Sequence, residues 1–179
     1  METPCIPRSI RASIVWPLPE PAMSTASIND AIALLNALLR GELSAIDSYD
    51  RAAAALADPP LPELLENRAC HLRRSQVLAR TIRTQGGIPD TASGVWGALA
   101  KAATRGAAVL GRAAVIAVLT DGEERGLTTY RTELRRGDAD VRQLIGVDLL
   151  PAQKRSLARL RQLIEVEGPM PGAASGGSA

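Results

Sequence analysis

Residues 41–49 read Gly41-Glu42-Leu43-Ser44-Ala45-Ile46-Asp47-Ser48-Tyr49, a stretch inside a long helical pattern that puts a carboxylate where a core residue belongs. Alternating steps of three and four place Ile28, Ala31, Leu35, Leu38, Glu42, Ala45, Tyr49, Ala52 and Leu56 on one helix face, and all but Glu42 and Tyr49 are apolar. An ionised glutamate on such a face is costly unless it is paired, hydrogen-bonded or metal-bound. The figure then recurs. Gly122, Glu123 and Tyr130 repeat the spacing of Gly41, Glu42 and Tyr49 at an offset of 81 (123 − 42 and 130 − 49), with Ile116 and Leu119 answering to Leu35 and Leu38. Two helical pairs of similar plan are expected, each carrying one inward glutamate.

A chain of 179 residues can bury one sizeable core. Its residues are 46% hydrophobic but only 2% aromatic, with no Phe, so the apolar content is largely Ala, Leu, Val and Ile, which suits close helix packing. An all-α fold is expected. The formal charge is +2, and the Arg residues lie beside Asp and Glu instead of forming a basic block, which argues against nucleic acid as the main partner. Cys5 and Cys70 offer neither metal-ligand spacing nor a disulfide framework, which fits a reducing compartment. The most apolar run, residues 94–120, is broken by Lys101, Arg105 and Arg112 before it reaches the roughly 20 residues a membrane span needs. Pro4, Pro7, Pro17, Pro19 and Pro21 interrupt any apolar leader segment, so a cytoplasmic location is expected.

Residues 1–24 read as a Pro-rich disordered extension, within which Met23 is a candidate start, residues 25–167 as a four-helix bundle, and residues 168–179 as a disordered tail of Gly, Ser, Ala and Pro. Helix 1 is expected from Ser27, with Asp30 in its first turn, to about Ala57. The segment Asp58-Pro59-Pro60-Leu61-Pro62 ends it and opens helix 2, about Leu61 to Gln85, which stops at Gly86-Gly87-Ile88-Pro89. The inward face of helix 2 takes Leu64, Asn67 or Arg68, His71, Arg74 or Ser75, Leu78 and Ile82. From Ser93 to about Arg105, Trp96 and Leu99 stand at helical spacing, which predicts a short helix in a crossover connection that lets helices 2 and 3 lie parallel. Helix 3 spans about Gly111 to Arg136. Helix 4 starts at Asp138 or Asp140 and is expected to bend at Pro151, with a later face of Leu149, Gln153, Ser156 or Leu157, Leu160 and Ile164. The internal repeat returns there at an offset of 82 (153 − 71 and 160 − 78). A complete break at Pro151 would instead give an irregular helical domain.

In an antiparallel bundle Glu42, His71, Glu123 and Gln153 meet near one level. Di-iron carboxylate bundles build their site from one Glu on each of two helices and a Glu-x-x-His pair on each of the others. Both single glutamates are present here. The paired positions hold His71-x-x-Arg74 and Gln153-x-x-Ser156, which keep the spacing and lose most of the carboxylate charge.

The chain resembles the ferritin-like superfamily, and more narrowly an uncharacterised bacterial ferritin-like family of unknown function. The resemblance rests on Arg40-Gly41-Glu42-Leu43-Ser44-Ala45 with Tyr49, the Gly86-Gly87 turn, Ser93-Gly94-Val95-Trp96-Gly97-Ala98, Asp121-Gly122-Glu123-Glu124-Arg125-Gly126-Leu127 with Tyr130, and Leu149-Leu150-Pro151-Ala152-Gln153. It covers roughly residues 27–165 and implies a four-helix bundle with a short extra helix in the long connection between helices 2 and 3. Relatives of this kind bind paired iron and react with oxygen or peroxide, which would make Glu42, His71 and Glu123 metal ligands. Iron or another divalent metal is the cofactor such a site would take, and the donor set favours none: two Glu, one His and a neutral Gln carry too little negative charge for two divalent ions. The alternative is a buried polar network in which Arg74 and the tyrosines satisfy the glutamates and fix helix register. Tyr49 and Tyr130 are then amphipathic core residues whose hydroxyls bond the glutamates, against a second role as redox-active neighbours of a metal. Cys70 reads as a small buried hydrophobe and Glu124 as solvated. The expected function is that of a non-catalytic bundle acting through protein contacts; the Ala-rich faces at residues 53–57 and 98–107 suit either close contact in a homodimer or the interior of a monomeric bundle. The other outcome is a metal-binding redox or stress-response protein.

Overall fold

The structure, a computed structural model, describes residues 25–56, 61–93 and 111–167. Every regular element among them is helical: α1 (Thr25–Leu56), α2 (Pro62–Thr84), α3 (Arg112–Arg136), α4 (Ala139–Leu144) and α5 (Leu150–Glu167), the last two joined by a π-helical turn (Ile145–Leu149). Since Ile145 and Leu150 both hold right-handed helical backbone angles, α4, the π turn and α5 run on as one interrupted helix, the fourth of the fold.

Local chemistry sets most boundaries. The α1 helix begins at Thr25, two residues ahead of the expected Ser27, and has no acidic residue in its first turn. Pro62 occupies the first turn of α2, where its missing N–H removes nothing the helix needs. At the other end Gly86 adopts φ 81°, its N–H bonds Arg83 O (3.0 Å), and Gly87 N–H bonds Ile82 O (2.9 Å), a Schellman turn that satisfies the last carbonyls. A Cβ on Gly87 would lie 2.7 Å from Ile32 Cγ2, so this turn also packs its backbone directly on α1. Asp138 caps α4 by accepting from Val141 N–H at 2.8 Å.

The disturbance expected at Pro151 falls one turn earlier. Proline has no N–H to give to the preceding turn and its ring crowds the carbonyl four residues back, at Val147. The helix widens there, and Leu150 N–H bonds Ile145 O five residues back. Helix 4 thus continues through Pro151.

The order of the helices follows from which side chains meet. Arg68 pairs with Asp50, and His71 with Glu42, so α2 runs antiparallel to α1. Tyr49 on α1 meets Glu123 on α3 while Tyr130 meets Glu42, which makes α1 and α3 antiparallel and leaves α2 and α3 parallel, as a crossover connection requires. Gln153 meets Glu123 and Gly146 approaches Leu134, so the fourth helix runs antiparallel to α3. The crossover leaves α2 along the outside of α1: Asn36 Nδ2 donates to Ile88 O (3.0 Å), Asn36 Oδ1 accepts from Asp90 N–H (2.8 Å), Arg40 pairs with Asp90, and Ser93 Oγ donates to Asp47 (3.1 Å). The short helix expected around Trp96 and Leu99, the extension 1–24 and the tail 168–179 lie outside the described residues.

Two apolar clusters fill the bundle. One gathers Leu35, Leu38, Leu78, Ile82, Ile145 and Leu149 with Tyr130, and the other Ala52, Leu64, Val115, Ile116, Leu119 and Leu160 with Tyr49. A polar layer lies between them. One expected core position is corrected, Ile164, which is 41% exposed while Leu163 takes its place at 8%; of the alternatives Asn67 and Arg68, Asn67 is fully buried and Arg68 turns outward to Asp50. The rotation at the π turn and the polar needs of the layer decide these, and neither is visible in hydrophobic spacing. At the other two ambiguous pairs both residues are buried: Arg74 with Ser75, and Ser156 with Leu157.

Candidate functional site

The polar layer is where the inward glutamates sit. Glu42 and Glu123 are 5% and 2% exposed, and each carboxylate receives three donors. On Glu42, Tyr130 Oη donates to Oε1 (2.5 Å), while His71 Nδ1 (2.8 Å) and Arg74 Nε (2.9 Å) share Oε2. On Glu123, Tyr49 Oη (2.6 Å) and His71 Nε2 (2.8 Å) share Oε1, and Gln153 Nε2 donates to Oε2 (2.5 Å) and to the Glu123 carbonyl (2.9 Å). The result is a continuous chain, Tyr130–Glu42–His71–Glu123–Tyr49, running through the middle of the bundle. Each tyrosine binds the glutamate of the opposite helix pair.

Both ring nitrogens of His71 face carboxylates, so the ring is assigned as the doubly protonated imidazolium. Arg74 Nη2 also lies 2.7 Å from Nδ1, and one nitrogen cannot both donate to Glu42 and accept from Arg74. The proton goes to Glu42, because otherwise a lone pair on Nδ1 would face Oε2 at 2.8 Å; the guanidinium is held beside the ring by its own bond to the same oxygen. The electrostatics agree. Burial pushes the His71 pKa down, but the charge of Glu42 and the hydrogen bonds to both carboxylates more than reverse this and raise it to about 9. Glu42 shows the converse, since burial raises its pKa while His71 and Arg74 bring it below the usual carboxylate range. Arg74 is held firmly charged by Glu42 against burial. Burial and the neighbouring carboxylates push both tyrosines well above their ordinary value, so they remain neutral donors. Two carboxylates are therefore balanced by two cations.

All five residues singled out from the sequence, Glu42, His71, Arg74, Glu123 and Gln153, are brought together. Cys70 is a buried free thiol beside Arg74, and Glu124 points outward to Arg161 (2.8 Å). Asn67, which spacing gave as an alternative to Arg68 on the inward face of α2, joins the layer in a role that spacing did not show. Its Nδ2 donates to Tyr49 Oη and to the Ser156 carbonyl, both at 3.0 Å, and its Oδ1 accepts from Arg159 (3.2 Å), which ties the layer to the surface. The signal was present as a polar residue one turn before His71 on the same face. Gly126 was missed: a Cβ there would lie 2.8 Å from Gln153 Nε2, so glycine makes room for the amide.

A di-iron centre does not suit this donor arrangement. A ligating imidazole must present a lone pair to the metal, and both His71 nitrogens are spent on carboxylates. Arg74 adds a fixed positive charge on the carboxylate that would have to bridge or chelate. Among the described residues no group of three or more His, Cys, Asp or Glu side chains is placed to hold a metal ion, and no helix is long and apolar enough to cross a membrane.

No curated protein and no solved structure matches the chain. One family does, over residues 30–136, a span that takes in α2, α3 and nearly all of α1 and hence Glu42, Tyr49, His71, Arg74, Glu123 and Tyr130, and that ends before Gln153. With the helical fold and its polar layer described, the chain belongs to the family termed Domain of unknown function (DUF2383).

Proposed function

We propose that the protein is a ferritin-like four-helix bundle whose inward carboxylates are neutralised by its own side chains, and that it acts as a non-catalytic scaffold through protein contacts. The observation that carries this is His71, whose imidazolium spans Glu42 and Glu123 with one ring nitrogen on each, while Arg74 donates to the same Glu42 oxygen. In a metallated bundle the cation between the glutamates would be a metal; here it is a protonated histidine backed by an arginine. The parallel placement of helices 2 and 3 supports the ferritin-like assignment, as does the one-Glu-per-helix plan of α1 and α3. A homodimer and a cytoplasmic location accompany the proposal.

The test is metal content of protein purified without chelators, followed by Fe, Mn and Zn titration of the wild type and of Glu42→Ala, His71→Ala and Glu123→Ala. Less than one tightly bound metal per chain and no ferroxidase turnover are expected. Two irons per chain, lost in both glutamate variants, would sink the proposal and favour the metal-dependent redox reading. Light scattering across a concentration series checks the dimer, and a strictly monomeric species would remove it.

A further inference from the structure

The two helix pairs, α1–α2 and α3–α5, each pack more extensively within themselves than against each other. Where they meet, the polar layer lies between two apolar clusters that both pairs line, and its two halves are related by the internal repeat. Glu42 and Tyr49 correspond to Glu123 and Tyr130, and each tyrosine bonds the glutamate of the other pair. Those two bonds would form equally well between two like pairs. The remaining positions break the equivalence, because His71 and Arg74 on α2 correspond to Gln153 and Ser156 on α5.

Charge makes this asymmetry decisive. In the observed pairing two carboxylates face two cations. Pairing α1–α2 with a second α1–α2 would bury two carboxylates with four cations, and pairing α3–α5 with a second α3–α5 would bury two carboxylates with none. Either mismatch leaves uncompensated charge in an interior where a single unpaired ion is strongly destabilising. The half that lacks cations is also incompletely paired, since Gln153 Oε1 and Ser156 Oγ are buried without a hydrogen-bond partner among the described residues.

We propose that the buried Glu42, His71, Arg74 and Glu123 form a pairing code: the α1–α2 hairpin accepts an α3–α5 hairpin, from its own chain or from a second copy by hairpin exchange, and rejects a copy of itself. This goes beyond the scaffold role and rests on its metal-free charge balance, yet its test needs no metal.

The experiment uses two full-length variants carrying different affinity tags. His71→Gln with Arg74→Ser leaves both hairpins without cations, and Gln153→His with Ser156→Arg gives cations to both. Each variant alone is mismatched. Coexpressed, they can exchange hairpins, so that each carboxylate pair again meets two cations. The expected result is a one-to-one heterodimer enriched about tenfold or more over differently tagged wild-type chains, equivalent to a preference of about 1.4 kcal/mol. Heterodimer no more abundant than that control overturns the code, whether or not the single variants fold. The chain carrying all four substitutions supplies an internal check: its urea midpoint should recover at least half of the loss seen in either double variant, and a loss equal to the sum of the two refutes the proposal. Two bound metals per wild-type chain would defeat the scaffold proposal and with it the charge balance assumed here, whereas failed exchange in metal-free protein overturns the code alone.

Discussion

Raising the pH should remove one specific source of stability, the charge on His71. Its folded-state pKa of about 9 lies above the ordinary value of 6.5, so the folded protein binds this proton more tightly than the unfolded chain. The contribution is complete below pH 6.5 and is lost as the pH rises through about 9. The difference corresponds to about 3 kcal/mol, falling by about 1.4 kcal/mol for each pH unit across that window, a large share of the stability of a domain this size. Other groups act elsewhere. Glu42, with its pKa lowered, contributes above its ordinary 4.5 and loses that contribution as the pH falls through the lowered value, while the two tyrosines, with their pKa values raised, lose theirs only as the pH rises past 10. Urea unfolding followed by circular dichroism across the window from pH 6.5 to 9 measures the slope, with His71→Gln as the control, in which the slope should vanish. A wild-type stability that stays flat there, or a His71 ring resonance that titrates near 6.5, would refute the imidazolium bridge.

Glu42→Leu should cost about 3–5 kcal/mol, because it strands the buried Arg74 and His71 charges, whereas Glu42→Gln retains an acceptor for Tyr130 and should cost about 1–3 kcal/mol. Equal urea midpoints for the two variants would mean that hydrogen bonding at this position contributes little. Gly41 and Gly122 lie on exposed mid-helix positions where an added Cβ would meet no heavy atom within 4 Å, so Gly41→Ala and Gly122→Ala should each stabilise the protein by about 1 kcal/mol. A loss of thermal stability in either would point to a contact on that outer face. Gly87→Ala should do the opposite, since its Cβ would press on Ile32 and Ile82, and a neutral result would show that the turn shifts freely.

The sequence by itself determined the helices and the level at which the polar residues gather. Spacing alone put Leu35, Leu38, Glu42 and Tyr49 on one face, stopped α2 at Gly86-Gly87 and α3 at Gly137, and brought Glu42, His71, Arg74, Glu123 and Gln153 inward, because burying a continuous stripe leaves a helix little choice of orientation. The pairing inside the layer was beyond its reach. Whether Tyr49 bonds Glu42 or Glu123, and whether His71 turns one nitrogen or both to carboxylates, depends on the direction and rotation of helices far apart in the chain. Only packing fixes those. The same holds for Leu163 over Ile164 and for the π turn ahead of Pro151, where one widened turn of the fourth helix changes which side chains reach the core. Asn67 likewise gains its role only when α5 brings the Ser156 carbonyl within reach, a contact that periodicity cannot encode.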